Sequence, residues 1–235
     1  GTLLDLAPTP QSVRVDAGVA ALLPDLVERL GGAVALVTGR SIGDADRLFP
    51  GLRLPIAGQH GCERRDATGT LHLHAADRRT LARLRTLFAD FAARHEGLLV
   101  EDKGASLALH YRQAPGLASH VHRTLRDAIA DGSAGGFRLQ PGKKLLELRP
   151  GGRDKGTAIR EFLREPPFAG RQAVFVGDDA GDEHGFAVVA ARKGLAIKVG
   201  PGPTRARYRL PDVAAVRGWL AAPAAGAAAS RAGAG

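Results

Sequence analysis

Four carboxylates stand within six positions in Gly177-Asp178-Asp179-Ala180-Gly181-Asp182-Glu183. They follow directly on Ala173-Val174-Phe175-Val176, four residues that suit a buried strand. Gly177 lets the backbone turn sharply, which sets Asp178 and Asp179 at the strand's carboxyl end. Asp182 and Glu183 then fall in the first turn of a helix, where acidic side chains suit the dipole. A strand tip carrying several hard oxygen ligands is a natural place for Mg²⁺. An ordinary acidic loop with helix-capping aspartates has the same composition, so the other segments of the chain have to decide.

Two of them end in compatible chemistry. Thr38-Gly39-Arg40 closes the apolar run Ala33-Val34-Ala35-Leu36-Val37. The Thr38 hydroxyl and the backbone N–H groups after it can hold a phosphate oxygen, although an ordinary strand-to-helix turn reads the same way. Lys155 lies in Gly151-Gly152-Arg153-Asp154-Lys155-Gly156, at the start of a helix. A cation at the positive end of a helix is out of place electrostatically, which points to an anionic partner. A hydroxyl and a cation for a phosphate, with carboxylates for Mg²⁺, form the set that metal-assisted phosphoryl transfer needs.

These residues have to be positioned by the elements around them. Asp16 can cap a helix over about 17–30, with Val19, Leu22, Leu23, Leu26, Val27 and Leu30 at helical spacing. The strand 33–37 follows, then a helix capped by Ser41 with Asp44 three places on, then a short strand 54–57. From about Gln59 the rhythm changes to a hairpin (63–66 with 70–74), a helix (77–94), two strands (98–102 and 106–111), a helix (117–130) and a second hairpin (137–140 with 144–148). After Pro150 a parallel rhythm returns: helix 154–163, strand 173–176, helix 182–191, strand 195–199, helix 212–220. The expectation is an α/β chain whose doubly wound parallel-sheet core, 1–58 and 151–220, is interrupted by an inserted α+β module, 59–150. Residues 221–235 are almost all Ala and Gly and are expected to be disordered. In such cores ligands bind beyond the carboxyl ends of the strands, so Thr38, Gly177-Asp178 and the segment around Gly1 should converge.

The 235 residues are 44% hydrophobic, enough for a sizeable core. The net charge of +9 comes from 27 Arg and 6 Lys, scattered rather than gathered in a stripe, and aromatics are 5%. That pattern excludes a nucleic-acid groove and fits a diffuse attraction for anions such as phosphorylated small molecules. No apolar run is long enough to span a bilayer, and a lone cysteine, Cys62, suits a reducing, cytoplasmic setting. The eight histidines show no zinc-like spacing.

Val37-Thr38-Gly39-Arg40, Arg153-Asp154-Lys155-Gly156 and Gly177-Asp178-Asp179 with Asp182, in this order, resemble the haloacid-dehalogenase (HAD) superfamily of phosphatases. More narrowly, residues 1 to about 220 resemble its trehalose-6-phosphate phosphatase family. The segments that carry this are Thr38-Gly39-Arg40-Ser41, Gly58-Gln59-His60-Gly61-Cys62-Glu63, Val100-Glu101-Asp102-Lys103-Gly104, Lys144-Leu145-Leu146-Glu147-Leu148-Arg149-Pro150 and the acidic loop. The resemblance implies a HAD-like core, a cap that closes over it, and Mg²⁺ held by Asp178, with Asp179 and Asp182 orienting the site. It implies Thr38 and Lys155 on the phosphate, Arg40 on the phosphate or the cap, and Glu101, Lys103, Arg112 and Glu147 on the sugar hydroxyls. Those four types suit such work, but alone they read as the solvated face of a sheet.

Three departures accompany it. Gly181 stands where the family usually has Thr, and His184 where it has an acidic residue. The family's Asp-x-Asp-Gly-Thr matches here only as Gly1-Thr2-Leu3, so its two aspartates, nucleophile and general acid/base, are expected just before residue 1 together with the first strand. Asp5 comes after the Gly-Thr and cannot replace them. The expectation is a trehalose-6-phosphate phosphatase whose 235 residues are inactive as they stand. The alternatives are a HAD phosphatase for another sugar phosphate, or a non-catalytic sugar-phosphate binder.

Overall fold

The computed structural model describes residues 1–5, 7, 12–74, 77–130, 136–142 and 144–222. Asp16 accepts the Val19 N–H and caps α1 (Ala17–Arg29). The chain then turns through Gly31 and Gly32, both at positive φ, into β1 (Leu36–Val37). Ser41 accepts the Asp44 N–H and starts α2 (Ile42–Leu48), and β2 (Ile56–Gly58) pairs parallel with β1. Pro55 has no N–H to give a ladder, so strand pairing starts one residue later, although its carbonyl still accepts the Leu36 N–H.

The hairpin of β3 (Glu63–Arg65) and β4 (Leu71–Leu73) is expected in the inserted module. It instead continues the first sheet, because β3 folds back on β2 with Ile56 opposite Arg65. Arg65 fixes it there with two hydrogen bonds to Asp46, each 2.8 Å. The second sheet holds β5 (Leu99–Asp102), β6 (Leu107–His110), β7 (Phe137–Gly142) and β8 (Leu145–Pro150), all antiparallel in the order β5-β6-β8-β7. α3 (Arg78–Ala93) and α4 (Ala118–Ala130) cover one of its faces. Leu84, Phe88, Leu107, Leu109, Val121, Leu125 and Leu148 are fully buried between them.

Strand alternation sends the other residues to the opposite face. The register sets Glu101, Ala108 and Glu147 in one row across β5, β6 and β8. One face of this sheet is therefore oily and helix-covered, and the other is polar.

After β8 come α5 (Lys155–Phe162), β9 (Val174–Gly177), α6 (Glu183–Ala191), β10 (Leu195–Val199), β11 (Tyr208–Leu210) and α7 (Val213–Ala221). β9, β10 and β11 are parallel. Among the described residues the parallel strands thus fall in two pieces, β1-β2 and β9-β10-β11. β11 is not legible in the sequence: three residues between prolines, two of them polar, carry no alternation, and only the partner β10 makes them a strand. Gly156 lets α5 lie against α6, since a Cβ there would meet the His184 carbonyl oxygen at 2.6 Å. The tail expected from 221 lies, from 223 on, outside the described residues.

Candidate active site

The acidic loop folds on itself before it serves anything else. Asp179 accepts the Asp182 N–H at 2.9 Å, and Asp182 Oδ2 accepts the N–H groups of both Asp178 and Asp179 at 2.9 Å. This closure needs a glycine at 177, because any Cβ there would collide with the Asp182 side chain. Asp182 is 3% exposed and uses its remaining oxygen on the Lys155 ammonium, 2.7 Å away. Asp179 lies 3.3 Å from the same ammonium. The anionic partner expected for Lys155 is therefore supplied by the chain itself. Burial alone would lower the Lys155 pKa, but the two carboxylates outweigh it and raise it. Burial pushes the Asp182 carboxyl above its ordinary range, whereas Lys155 and the loop hydrogen bonds outweigh burial at Asp179 and lower it.

Asp178 is the loop aspartate left free of Lys155. It is 30% exposed and accepts the Thr2 hydroxyl at 2.6 Å, and the Gly1 nitrogen lies 3.8 Å from it. The expected meeting of the segment around Gly1 with Gly177-Asp178 is present. Its carbonyl is pinned by Lys198, a buried lysine that sequence reasoning passed over. The signal was there: one charge inside the apolar run Leu195-Ala196-Ile197-Lys198-Val199. Asp5 lies away from this loop, exposed, 3.6 Å from Arg217.

Thr38 follows β1 directly, and its hydroxyl accepts the Arg40 N–H at 3.1 Å. Its carbonyl accepts from the His60 N–H, which joins it to the Gln59–Gly61 turn. The Arg40 carbonyl accepts from the Gln59 N–H, and its guanidinium charge acts on Asp44. Gln59 and His60 both have left-handed backbones, φ 46° and 57°. The His60 ring lies over Gly39, where a Cβ would meet its Nε2 at 2.8 Å. Gly39, like Gly177, is there for close approach.

The polar face of the second sheet meets this turn. Ser106 donates to the Gln59 side-chain oxygen at 3.1 Å, and Glu147 Oε2 lies 3.6 Å from His60 Nε2. Glu147 is 7% exposed and takes the Lys103 ammonium at 2.9 Å. Glu101 accepts from His110 at 2.9 Å, and that bond is the main reason its pKa is lowered. The structure thus brings Glu101, Lys103 and Glu147 to one face and joins that face to the loop beside Thr38. Arg112 stands on the exposed loop after β6. Of the family departures, Gly181 lies close to His60, since a Cβ added there would stand 3.9 Å from His60 Nδ1, and His184 is exposed.

Among the described residues no three His, Cys, Asp or Glu side chains gather as a metal cage. The donor set still suits Mg²⁺, which keeps several waters and takes only one or two carboxylates together with substrate phosphate. Asp178 offers the one loop aspartate whose carboxylate is not paired with Lys155. No helix among the described residues is long and apolar enough to cross a membrane.

Comparison with known proteins agrees with this arrangement. A family model described as Trehalose-phosphatase matches residues 1–214. A probable trehalose-phosphate phosphatase of Sinorhizobium fredii is 43% identical over 224 residues, covering 94% of this chain and 84% of that protein. A solved trehalose-6-phosphate phosphatase related protein superposes with a TM-score of 0.77 at 30% identity, covering 94% of this chain and 92% of its own. A phosphatase of the haloalkanoate (HAD) enzyme superfamily from Bacteroides thetaiotaomicron shares the fold at 13% identity, with a TM-score of 0.64 over 94% of this chain and 90% of its own. A loop with a lysine clamped by aspartates, a polar sheet face above it, and a family match over almost the whole length lead to one assignment: the chain belongs to the trehalose-phosphatase family, within the HAD fold.

Proposed function

We propose that this site serves Mg²⁺-dependent hydrolysis of trehalose 6-phosphate to trehalose and phosphate, in the cytoplasm. The observation that carries the reading is the contact between the polar sheet face and the loops of the parallel sheets: Glu147 to His60, and Ser106 to Gln59. Such a junction offers sugar-reading groups on one side and phosphate-handling groups on the other. In this reading Asp178 would hold the ion, whose charge balances the phosphate. Asp182 keeps the loop closed, and Lys155, neutralised by Asp182 and Asp179, offers its remaining N–H to a phosphate oxygen. The Thr38 hydroxyl donates to the same group. Arg40 stands between phosphate and cap, and Glu101, Lys103, Arg112 and Glu147 take the sugar hydroxyls. The closing unit runs from about 77 to 150, with the β3-β4 hairpin on the core side.

The 235 residues contain no Asp-x-Asp-Gly-Thr. The carboxylates described at the site are engaged by lysine, by His110 or in the seat proposed for the ion, and the resemblance gives none of them the role of nucleophile. By themselves these residues are expected to release no phosphate. The test is to read the gene in frame ahead of codon 1 and assay the encoded protein on a panel of sugar phosphates. Preference for trehalose 6-phosphate of at least about tenfold over glucose 6-phosphate, the worth of one or two hydrogen bonds, supports the reading, and equal turnover replaces it with a broader sugar phosphatase. Binding without turnover, with no such motif upstream, makes the protein a sugar-phosphate binder. Separately, millimolar Mg²⁺ is expected to raise the melting temperature of the wild type and not of Asp178→Asn.

A further inference from the structure

His60 combines three features that packing alone does not explain. Its backbone is left-handed (φ 57°), next to a second left-handed residue, Gln59 (φ 46°), a strain that usually persists where geometry matters for function. Its ring is 16% exposed and wedged between the Thr38-Gly39 turn, the acidic loop and Glu147. Its Nδ1 is buried and has no hydrogen-bond partner among the described residues. Buried polar atoms are nearly always satisfied, and an orphan of this kind asks for a ligand.

The chemistry of that ligand follows from the tautomer. Glu147 faces Nε2 from 3.6 Å, too far for a hydrogen bond but near enough to favour a proton on that nitrogen. Nδ1 is then the lone-pair nitrogen, able to accept and not to donate. Burial pushes the ring down to about 4, so it is neutral at physiological pH despite Glu147 and Asp179, with Lys155 and Arg149 also disfavouring charge. An acceptor cannot bind a phosphate dianion, whose oxygens carry no proton. It can bind a hydroxyl. We propose that His60 Nδ1 accepts a hydrogen bond from a hydroxyl of the sugar ring that carries the phosphate, which makes His60 a specificity residue at the junction of core and cap. The proposal rests on the sugar-phosphate reading above and adds to it a group that tells a phosphorylated sugar from phosphate.

Gly181 supplies a test. A Cβ there would stand 3.9 Å from Nδ1 and 3.1 Å from Asp179 Oδ1, so Gly181→Ser sets a hydroxyl near the orphan nitrogen once the Asp179 side chain gives by a few tenths of an ångström. His60→Asn removes the ring and keeps a residue that tolerates the left-handed backbone. Calorimetric binding to the full chain with Mg²⁺ is measured for trehalose 6-phosphate, glucose 6-phosphate and inorganic phosphate. Each variant is expected to bind the sugar phosphates about five- to tenfold more weakly, the worth of one lost hydrogen bond, and inorganic phosphate within about twofold of wild type. Equal weakening for all three ligands, or unchanged sugar-phosphate binding in Gly181→Ser, overturns the proposal. If both sugar phosphates bind the wild type alike and both lose affinity in the variants, the His60 role stands and trehalose selectivity falls. Imidazole ¹⁵N shifts of the wild type give a readout free of folding effects. The lone-pair nitrogen of His60 is expected to shift when a sugar phosphate binds and not with inorganic phosphate, and the reverse result sinks the idea.

Discussion

Lys155 looks from its position like a cation waiting for a substrate, and the structure gives it two aspartates instead. That changes what its removal should do. Lys155→Met leaves Asp182 buried with no counter-charge while it still holds two backbone N–H groups. Unfolding in urea is expected to show a loss of about 3–5 kcal/mol, the usual size for breaking a buried pair from one side. A loss under about 1 kcal/mol, the scale of an exposed pair, would mean that the ammonium mainly serves the ligand. His60 makes a pH prediction of definite sign. Its folded pKa of about 4 lies below the ordinary 6.5. Between those values the unfolded chain takes up a proton that the folded chain refuses. Stability should therefore rise from pH 4 to pH 6.5 and level off above, by up to about 3 kcal/mol. Urea titrations of wild type and His60→Asn across that range check it: the variant's curve should be flatter by that amount.

Elements, not residues, decide whether the acidic loop is a site. β9 delivers Gly177 beside Asp182, and only a residue without a Cβ allows the carboxylate to cover two backbone N–H groups. Gly177→Ala is expected to open this clamp, lower the melting temperature and abolish the stabilisation by Mg²⁺, whereas Gly181→Ala, whose Cβ would meet the Asp179 side-chain oxygen at 3.1 Å, should lower it less. α5 meets α6 through Gly156 and brings Lys155 to the loop from below. The helix starts where it does because Asp154 and Thr157 cap it reciprocally. Asp154, Lys155, Gly156 and Thr157 are consecutive, so cap, ion pair and close contact are set by one short stretch of chain.

At the scale of the molecule, the chain enters the antiparallel sheet after β4 and leaves it after β8, and one clasp stands at both places. His74 leaves β4 just before α3, and Arg153 follows β8. Arg153 makes two bonds to Glu161 of α5, at 2.7 and 2.9 Å, and also bonds His74. Arg64 of β3 lies 3.1 Å from the same Glu161 and pairs with Glu165. Glu161→Ala removes the shared anion and leaves two guanidinium groups and an imidazole side by side. Faster proteolysis within 150–154 is expected, with a melting temperature lowered by several degrees. Unchanged cleavage there would show that the clasp does not govern how the antiparallel sheet is held to the core.

The sequence by itself determined most elements and the chemical types at the site. Strong local signals did this: N-cap aspartates before apolar-periodic runs, glycines after strands, and acidic residues after Gly177. It also showed the segments of family resemblance that the comparisons bear out. Only the tertiary structure decided which sheet the β3-β4 hairpin joins, because a hairpin pattern is the same wherever it pairs. Long-range pairing alone gave β11 its partner, Lys155 its two aspartates, and Lys198 its carbonyl. In sequence the acidic loop sets Asp178 and Asp179 at a strand end and Asp182 and Glu183 in a helix turn, but it does not show what each carboxylate holds. Folding distinguishes its aspartates, since Asp182 is buried under backbone N–H groups and Lys155, Asp179 shares that lysine, and Asp178 is left at the strand tip facing Gly1 and Thr2.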